Sequence, residues 1–243
     1  MLPYKIAVIT DTHANLPALE AALQAIAAEG CDAIYHTGDA ISVCPYPAEV
    51  MDRLLTTPNL HLIMGNHDEW FAFGLPEPQP AWMSDGAVHH LRWVHAQLDP
   101  ALRPIVAEWP YAITERIHGL KLLFTHYGLN DAGTEFQPIV SDPAPADLDR
   151  LFARERTDLV FYGHYHPPSD LQGTARYVNI GSLGCNDHPT ARFALLSVHS
   201  DGTYHLEQRV LPYDQSDLFR QFVERDVAER EFICRAFFGQ SGG

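Results

Sequence analysis

Short apolar runs alternate with amphipathic segments through the first part of the chain. Tyr4–Thr10 is a β-branched apolar run, which predicts a buried strand. The following segment repeats leucine and isoleucine at helical spacing, with Asn15 placed to cap its start and Gly30 to end it. Two further strands and a helix are predicted at Ala33–Thr37, Leu60–Met64 and Pro47–Leu55. This β–loop–α–β alternation predicts a parallel sheet.

The alternation is interrupted at about residues 69–110. A proline-rich loop there precedes two helical stretches, Ala87–Leu98 and Pro100–Glu108, and the segment is rich in Trp and Phe. It is too short to be a domain, so we predict a lid-like insertion within a single domain spanning 1–243. Strand patterns resume at Leu120–Thr125, Leu159–Tyr162, Arg176–Ile180, Arg192–Val198 and Thr203–Val210. One amphipathic helix over Asp214–Phe238 and a frayed polar tail over Gly239–Gly243 are predicted to close the chain.

Composition and charge narrow the class of protein. The 243 residues are 46% hydrophobic, enough for one large α/β domain with a sizeable core. No apolar run approaches the roughly 20 residues that cross a bilayer, and the N-terminus lacks the features of a signal peptide, so we expect a cytoplasmic protein. The net charge of −15 disfavours binding to nucleic-acid polymers or anionic membranes. Small anionic substrates stay open, because bound cations would make the local potential positive.

Five polar clusters each follow a predicted strand. They are Asp11-Thr12-His13, Gly38-Asp39, Gly65-Asn66-His67-Asp68, His126 and Gly163-His164-Tyr165-His166. Ligands of open α/β sheets collect beyond the carboxyl ends of the strands, so these side chains are expected to meet. Carboxylate, imidazole and amide donors suit Mn, Fe, Zn, Ni or Co. The candidate ligands are too many for one ion, and two divalent ions sharing a carboxylate would use them all: Asp11, His13, Asp39, Asn66, His126, His164 and His166.

The order of these motifs resembles the calcineurin-like metallophosphoesterase superfamily. Within it the chain most resembles the compact prokaryotic phosphodiesterase branch, whose larger members are often labelled diadenosine-tetraphosphatase-like. The stretch Asn179-Ile180-Gly181-Ser182-Leu183-Gly184 is similar to that branch's Asn-x-Gly-Ser element. The resemblance covers residues 4 to about 210. It implies an α/β fold in which two mixed sheets pack face to face between helices, a four-layer αββα sandwich.

The resemblance also implies a role for each candidate residue. One ion would be held by Asp11, His13 and His166, the other by Asn66, His126 and His164, and Asp39 would bridge them. His67 would sit over the substrate, with Asp68 orienting its imidazole, and would assist the leaving oxygen. A hydroxide activated by the ions would attack phosphorus in line.

The function expected from this site is hydrolysis of a phosphodiester or phosphomonoester in a small molecule. A non-catalytic interaction scaffold is the alternative from another class, since some relatives keep the fold without the chemistry. Such relatives usually lack metal ligands or the histidine of Gly-Asn-His-Asp, and both are present here. A nuclease is a second alternative, which the charge of −15 disfavours.

Three departures from the branch pattern lie beside the candidate site. Ile41–Tyr46 replaces a glycine-rich turn, Tyr127 stands where relatives carry glycine, and Cys185-Asn186-Asp187 replaces a Gln-Pro-Arg-like stretch. We therefore expect residues 69–110, Tyr127 and the Val43–Tyr46 turn to set the substrate, with Tyr127 narrowing the pocket.

Overall fold

The computed structural model describes residues 2–239, so residues 240–243 of the predicted tail lie outside the described residues. The strands are β1 (Tyr4–Ile9), β2 (Ala33–His36), β3 (Leu60–Leu62), β4 (Ala112–Ile117), β5 (Leu120–Thr125), β6 (Leu159–Tyr162), β7 (Ser169–Gln172), β8 (Arg176–Asn179), β9 (Thr190–Val198) and β10 (Tyr204–Pro212). The helices are α1 (Leu16–Glu29), α2 (Pro47–Thr56), α3 (Asn66–Phe73), α4 (Asp85–Gln97), α5 (Arg103–Ala107), α6 (Pro145–Leu151), α7 (Ser216–Glu224) and α8 (Arg230–Phe238). Within residues 2–239, every helix is too short or too polar to cross a membrane.

The strands form two mixed sheets of five strands each. The first has the order β10-β9-β1-β2-β3, with β1, β2 and β3 parallel and β9 and β10 antiparallel to their neighbours. The second has the order β4-β5-β6-β8-β7, with β5, β6 and β8 parallel and an antiparallel strand at each edge. The predicted α/β class with two mixed sheets is confirmed.

The side chains of β1 point alternately into two different apolar cores, and this explains how the sheets and helices are layered. Ile6 and Val8 belong to the apolar core between the two sheets, whereas Ala7 and Ile9 belong to the core shared with the helices. Tyr35 of the first sheet stacks on Phe124 of the second with ring centroids 3.8 Å apart. On the outer face of the second sheet a third cluster includes residues of α6. A strand buried on both faces must be apolar, as the four buried residues Ile6–Ile9 of β1 are.

The local signals at α1 behave as predicted. The Asn15 side chain accepts a hydrogen bond from the amide of Ala18 at 3.2 Å, which caps the first turn. Gly30 follows the last turn with φ of 65°, a left-handed conformation that costs glycine little.

The prediction of one closing helix is wrong, because the chain breaks between α7 and α8. Asp226 and Glu229 adopt φ of 48° and 61°, which a continuous helix does not allow. Val227 between them is fully buried in the core, and the carbonyl of Ala228 accepts a hydrogen bond from His90. Tertiary contacts therefore override the amphipathic pattern.

Candidate metal centre

The five polar clusters lie together at one edge of the two sheets. The parallel strands β1, β2 and β3 of one sheet and β5 and β6 of the other end there, and their loops are cross-linked by backbone hydrogen bonds. The amide of Asp11 donates to the carbonyl of Gly38 at 2.9 Å, and the amide of Gly163 donates to the carbonyl of His126 at 2.9 Å. The structure thus brings together the seven side chains singled out in the sequence, in two groups of donor atoms.

The first group is built by Asp11, His13 and His166. Nε2 of His13 lies 3.0 Å from Nε2 of His166 and 3.6 Å from Oδ1 of Asp11. Nε2 of His166 lies 3.5 Å from the same carboxylate oxygen. One carboxylate oxygen and two imidazole nitrogens therefore face one point.

The second group is built around His126. Its Nε2 lies 3.2 Å from Oδ1 of Asn66 and 3.2 Å from Nδ1 of His164. Oδ2 of Asp39 lies 3.3 Å from that nitrogen and 3.8 Å from Nε2 of His13. One oxygen of Asp39 thus faces both groups.

This donor set fits divalent transition metals. Protein nitrogen and oxygen ligands bind such ions at about 2.0–2.2 Å, which leaves neighbouring donor atoms roughly 3.0–3.5 Å apart. The separations in both groups are close to that range, and the set mixes imidazole with carboxylate and amide oxygen. Cys185 adds a thiol within 4.8 Å of ligand atoms of His13 and His166.

Electrostatics keep both carboxylates ionised. Burial by itself raises the pKa of Asp39, but the surrounding histidines, His126 first among them, together outweigh burial and hold that pKa below its ordinary value. Burial likewise raises the pKa of Asp11, and hydrogen bonding with His13 and His166 outweighs it, so that pKa lies well below its usual range. Two negative charges buried side by side favour cations between them.

Four of the seven candidate ligands lie in left-handed backbone. Their φ angles are 50° at Asp11, 49° at His13, 57° at Asp39 and 69° at His164. Each such residue costs on the order of 1 kcal/mol, and such strain concentrates where geometry serves function.

Two glycines of the motifs are required by close approach. A Cβ on Gly38, whose φ is 104°, would lie 2.7 Å from Nδ1 of His126. A Cβ on Gly163 would lie 2.3 Å from Oδ2 of Asp11. Any side chain at either position would displace a candidate ligand.

Surrounding groups orient the candidate ligands. Nδ1 of His126 donates to the carbonyl of Thr37 at 2.9 Å, which leaves its Nε2 free to face Asp39. The hydroxyl of Ser182, in the Asn-x-Gly-Ser element, donates to the carbonyl of Asp11 at 2.8 Å. The amide side chain of Asn179 in the same element donates to the carbonyl of Tyr165, between His164 and His166.

His36 is a supporting residue that the sequence did not single out. Its Nδ1 accepts the amide hydrogen of Gly38 at 3.1 Å, so its Nε2 carries the proton and donates to the Thr12 hydroxyl at 2.8 Å. Burial lowers its pKa to about 4, which keeps this neutral tautomer. The sequence could have indicated this supporting role, because His36 lies two residues before Gly38 of a motif.

The orienting role predicted for Asp68 is wrong. Its carboxylate accepts hydrogen bonds from the backbone amides of Gly65, Asp39 and Ala40, at 3.0, 2.8 and 3.1 Å, and its hydrogen bonds do not include the His67 imidazole. Asp68 is the third residue of α3, where a carboxylate turns back to cap the helix start. The residue therefore holds the loop that carries Asp39.

His67 lies beside both groups, with its imidazole part-exposed to a cavity. Its Nε2 is 4.0 Å from Oδ2 of Asp39, and its buried Nδ1 has no hydrogen-bond partner among residues 2–239. Burial lowers the pKa of His67 to about 3, so the ring is neutral at neutral pH. The ring packs edge-on against Trp70 with centroids 4.9 Å apart.

The cavity of about 540 Å³ opens from the candidate metal centre. The 69–110 segment contributes Trp70, Trp82, Met83 and Leu91 to its wall, and the Val43–Tyr46 turn contributes only Val43. Cys44 and Tyr46 belong to the apolar core instead.

The expectation that Tyr127 narrows this pocket is wrong. Tyr127 is buried behind His164 in the apolar cluster around α6, and it does not line the cavity. Its hydroxyl accepts the amide hydrogen of Val140 at 2.8 Å.

Helix α8 supplies a wall that the sequence did not indicate. Phe232, Ile233 and Phe237 line the cavity together with Glu229, which precedes the helix. Nothing in the amphipathic pattern of this segment shows which part of the molecule it covers, so only the tertiary structure could reveal the contact.

Comparison with known proteins agrees with this architecture. The family model described as the calcineurin-like phosphoesterase superfamily domain matches residues 4–201. The chain belongs to this superfamily. Its match covers all five polar clusters and the Asn-x-Gly-Ser element.

Individual relatives add the fold but no established activity. The chain is 31% identical over 170 residues to the uncharacterized protein MJ0912 of Methanocaldococcus jannaschii, a match that covers 69% of this chain and only 65% of that protein. The hypothetical protein PH1004 of Pyrococcus horikoshii has a similar structure, with a TM-score of 0.79 and 22% identity over 98% of this chain and 99% of that one. A metallophosphoesterase from Sphaerobacter thermophilus gives a TM-score of 0.69 and 21% identity, over 93% and 96%.

Proposed function

We propose that this superfamily member is a two-metal hydrolase of small phosphate esters, phosphodiesters or phosphomonoesters. The observation that carries the proposal is the position of Asp39, whose Oδ2 lies 3.8 Å from Nε2 of His13 and 3.3 Å from Nε2 of His126. A carboxylate oxygen shared by two sets of nitrogen and oxygen donors is what a bridged pair of ions requires.

Each group of donors would hold one divalent ion of Mn, Fe, Zn, Ni or Co. Asp11, His13 and His166 serve the first ion, Asn66, His126 and His164 serve the second, and Asp39 serves both. Bound there, the ions supply Lewis-acid charge for the phosphoryl oxygens and lower the pKa of a bound water.

His67 is placed to act on the leaving group. Its ring lines the cavity, and its Nε2 lies 4.0 Å from Oδ2 of Asp39, the oxygen that faces both groups. A neutral imidazole at this position donates one N–H to the leaving oxygen as negative charge develops on it. Asp68 contributes indirectly, because its carboxylate fixes the amides of Asp39 and Ala40.

Residues 69–110 act as a lid within a single domain. The segment leaves the site directly after Asp68, and Trp70 and Trp82 face the cavity. Covering the centre with apolar side chains excludes water from the ester and strengthens the electrostatic interactions inside.

The proposal is tested with the purified protein, stripped with a chelator and reloaded with each of the five metals. The substrates are 4-nitrophenyl phosphate and bis(4-nitrophenyl) phosphate. We expect two equivalents of metal by mass spectrometry, hydrolysis of at least one ester, and loss of activity on stripping. Equal turnover by stripped and loaded protein, or failure of every metal to bind, contradicts the proposal.

A further inference from the structure

Part of the cavity wall is aromatic and comes from two separate parts of the chain. Trp70 and Trp82 belong to the 69–110 segment, with ring centroids 6.1 Å apart. Phe232 and Phe237 belong to α8. The rings of His67, Trp70 and Trp82 form a continuous path outward from the candidate centre, since His67 and Trp70 are 4.9 Å apart.

Two of these rings are unusually exposed. Trp82 has 72% of its surface exposed and Phe232 has 58%. Both line the same cavity, which at about 540 Å³ has room for a ring system. Large apolar side chains facing one concave site indicate a ligand that covers them.

The same cavity lacks the cationic side chains that usually bind a second anionic group. Its lining, drawn from residues 2–239, includes no Lys or Arg. It does include Glu229, whose carboxylate approaches His89 at 3.1 Å on the exposed side of α4. Phosphate and carboxylate groups away from metal ions are usually bound by Arg or Lys, whereas a second anion here would meet mainly apolar side chains, the uncharged Ser84 and a like charge at Glu229.

The N-terminus of α4 also lines the cavity, and it is partly capped by side chains of its own first turn. The Ser84 hydroxyl accepts the amide hydrogen of Ala87 at 3.1 Å, and Asp85 places a negative charge in the first turn. The partial positive charge of this helix end is therefore offset before any ligand arrives.

We infer that the substrate carries a single phosphoryl group esterified to an uncharged aromatic or bulky apolar group, which binds between the lid and α8. Esters with a second anion, such as polyphosphates, are excluded by the same surface. This inference rests on the proposed function for the reaction, but it concerns what the cavity binds and is tested by binding.

Phosphonates provide the test because their P–C bond is not hydrolysed. Methylphosphonate, phenylphosphonate and 4-phosphonobenzoate share the phosphonate group that would bind the metals. Phenylphosphonate replaces the methyl group with an aromatic ring, and 4-phosphonobenzoate adds one carboxylate to that ring. Their affinities for the metal-loaded protein are measured by titration calorimetry. We expect phenylphosphonate to bind about 10- to 100-fold more tightly than methylphosphonate, because the ring buries apolar surface. The added carboxylate of 4-phosphonobenzoate should cost about tenfold.

Substitutions locate the binding surface. Trp82→Ala and Phe232→Ala should each weaken phenylphosphonate about 5- to 20-fold and leave methylphosphonate unchanged. Phe73→Ala is the matched control, because Phe73 is 63% exposed but does not line the cavity. Glu229→Lys should reverse the preference between phenylphosphonate and 4-phosphonobenzoate. All three aromatic substitutions are at exposed positions and should fold, which circular dichroism checks.

Equal affinity for methylphosphonate and phenylphosphonate overturns the inference, as does a loss in Trp82→Ala no larger than in Phe73→Ala. Failure of the proposed function looks different: the ring preference persists while no phosphate ester is hydrolysed with any metal. In that outcome the cavity binds the predicted class of ligand and the chemistry is what was wrong.

Discussion

Oδ2 of Asp39 faces both groups of donor atoms while Oδ1 accepts the amide hydrogen of His67 at 2.9 Å. Replacing Asp39 with Asn removes the negative charge that two ions would share. We expect Asp39→Asn to lose at least one equivalent of metal and all measurable activity. His67→Gln should keep both metals and lose about 10²- to 10⁴-fold in kcat/KM, because it removes one proton or hydrogen-bond step. Full activity in Asp39→Asn would rule out the shared-carboxylate centre.

Tyr127 has a structural role, which reverses the expectation from sequence. Tyr127→Phe should lower the free energy of unfolding by about 1 kcal/mol through loss of the hydrogen bond with Val140. Tyr127→Ala should lower it by about 3–5 kcal/mol, because it opens a cavity in the cluster around α6. Urea denaturation measures both, and the ratio of kcat/KM values for small and large esters should stay constant. A Tyr127→Gly variant of normal stability with a broader substrate range would show that the sequence expectation was right.

At the scale of helices and strands, the sequence predicted the elements that a local pattern of apolar and polar residues determines. The parallel strands β1, β2, β5 and β6 are apolar at nearly every position because both faces are buried, so their runs were visible. Helix α3 was missed because it starts inside a motif that resembles a loop, and Asp68 caps it. The two short edge strands β4 and β7 were missed because half of each is solvent-facing and polar.

The sequence could predict only those parts of the candidate site that residue type and spacing identify. The seven donor side chains sit in short motifs at strand ends, so their meeting follows from topology. The break at residues 225–229 and the α8 wall were not predictable, since both depend on contacts with distant residues such as His90. The sequence indicated that the start of the 69–110 segment lies beside the site, whereas it did not indicate that α8 lines the same cavity.

His90 connects the elements that enclose the cavity. Its Nε2 accepts the amide hydrogen of Val43 at 2.9 Å, so its Nδ1 carries the proton and donates to the carbonyl of Ala228 at 3.0 Å. One neutral side chain on α4 thus joins the turn after β2 to the segment before α8. Protonation would place two donors, the Val43 amide and Nε2, against each other.

This arrangement predicts a pH dependence of stability. Burial lowers the pKa of His90 from 6.5 to about 4, so the unfolded chain takes up the proton at higher pH than the folded one. The contribution of neutral His90 is complete above pH 6.5 and declines as pH falls toward 4, by about 3 kcal/mol in total. The difference in unfolding free energy between the wild type and His90→Gln, measured without metal, should shrink over that window. A difference that is constant from pH 7 to 4 would contradict the assignment.

At the scale of the whole molecule, the net charge of −15 and the buried carboxylates at the candidate centre both favour the binding of cations. Asp11 and Asp39 are 0% and 2% exposed and ionised, so the metal-free chain buries two negative charges next to histidines. Cations that bind the folded state alone stabilise it by mass action, about 4 kcal/mol at a thousandfold excess over Kd. For a chain of this size we expect the melting temperature to rise by roughly 8–16 °C on metal loading.

Differential scanning calorimetry of stripped and reloaded protein measures this shift. Asp39→Asn should lose most of the stabilisation by metal, because it removes the oxygen that both donor groups share. Asp39→Asn in the metal-free state should melt below the wild type, because the lowered pKa of Asp39 means that its ionised carboxylate stabilises the fold beside His126. Asp52→Asn is the control: Asp52 is an exposed carboxylate on α2, and its removal changes the net charge equally but should leave the metal-dependent shift intact. If Asp52→Asn and Asp39→Asn reduce the shift alike, general charge neutralisation explains the stabilisation and the seven donor side chains do not form a specific centre.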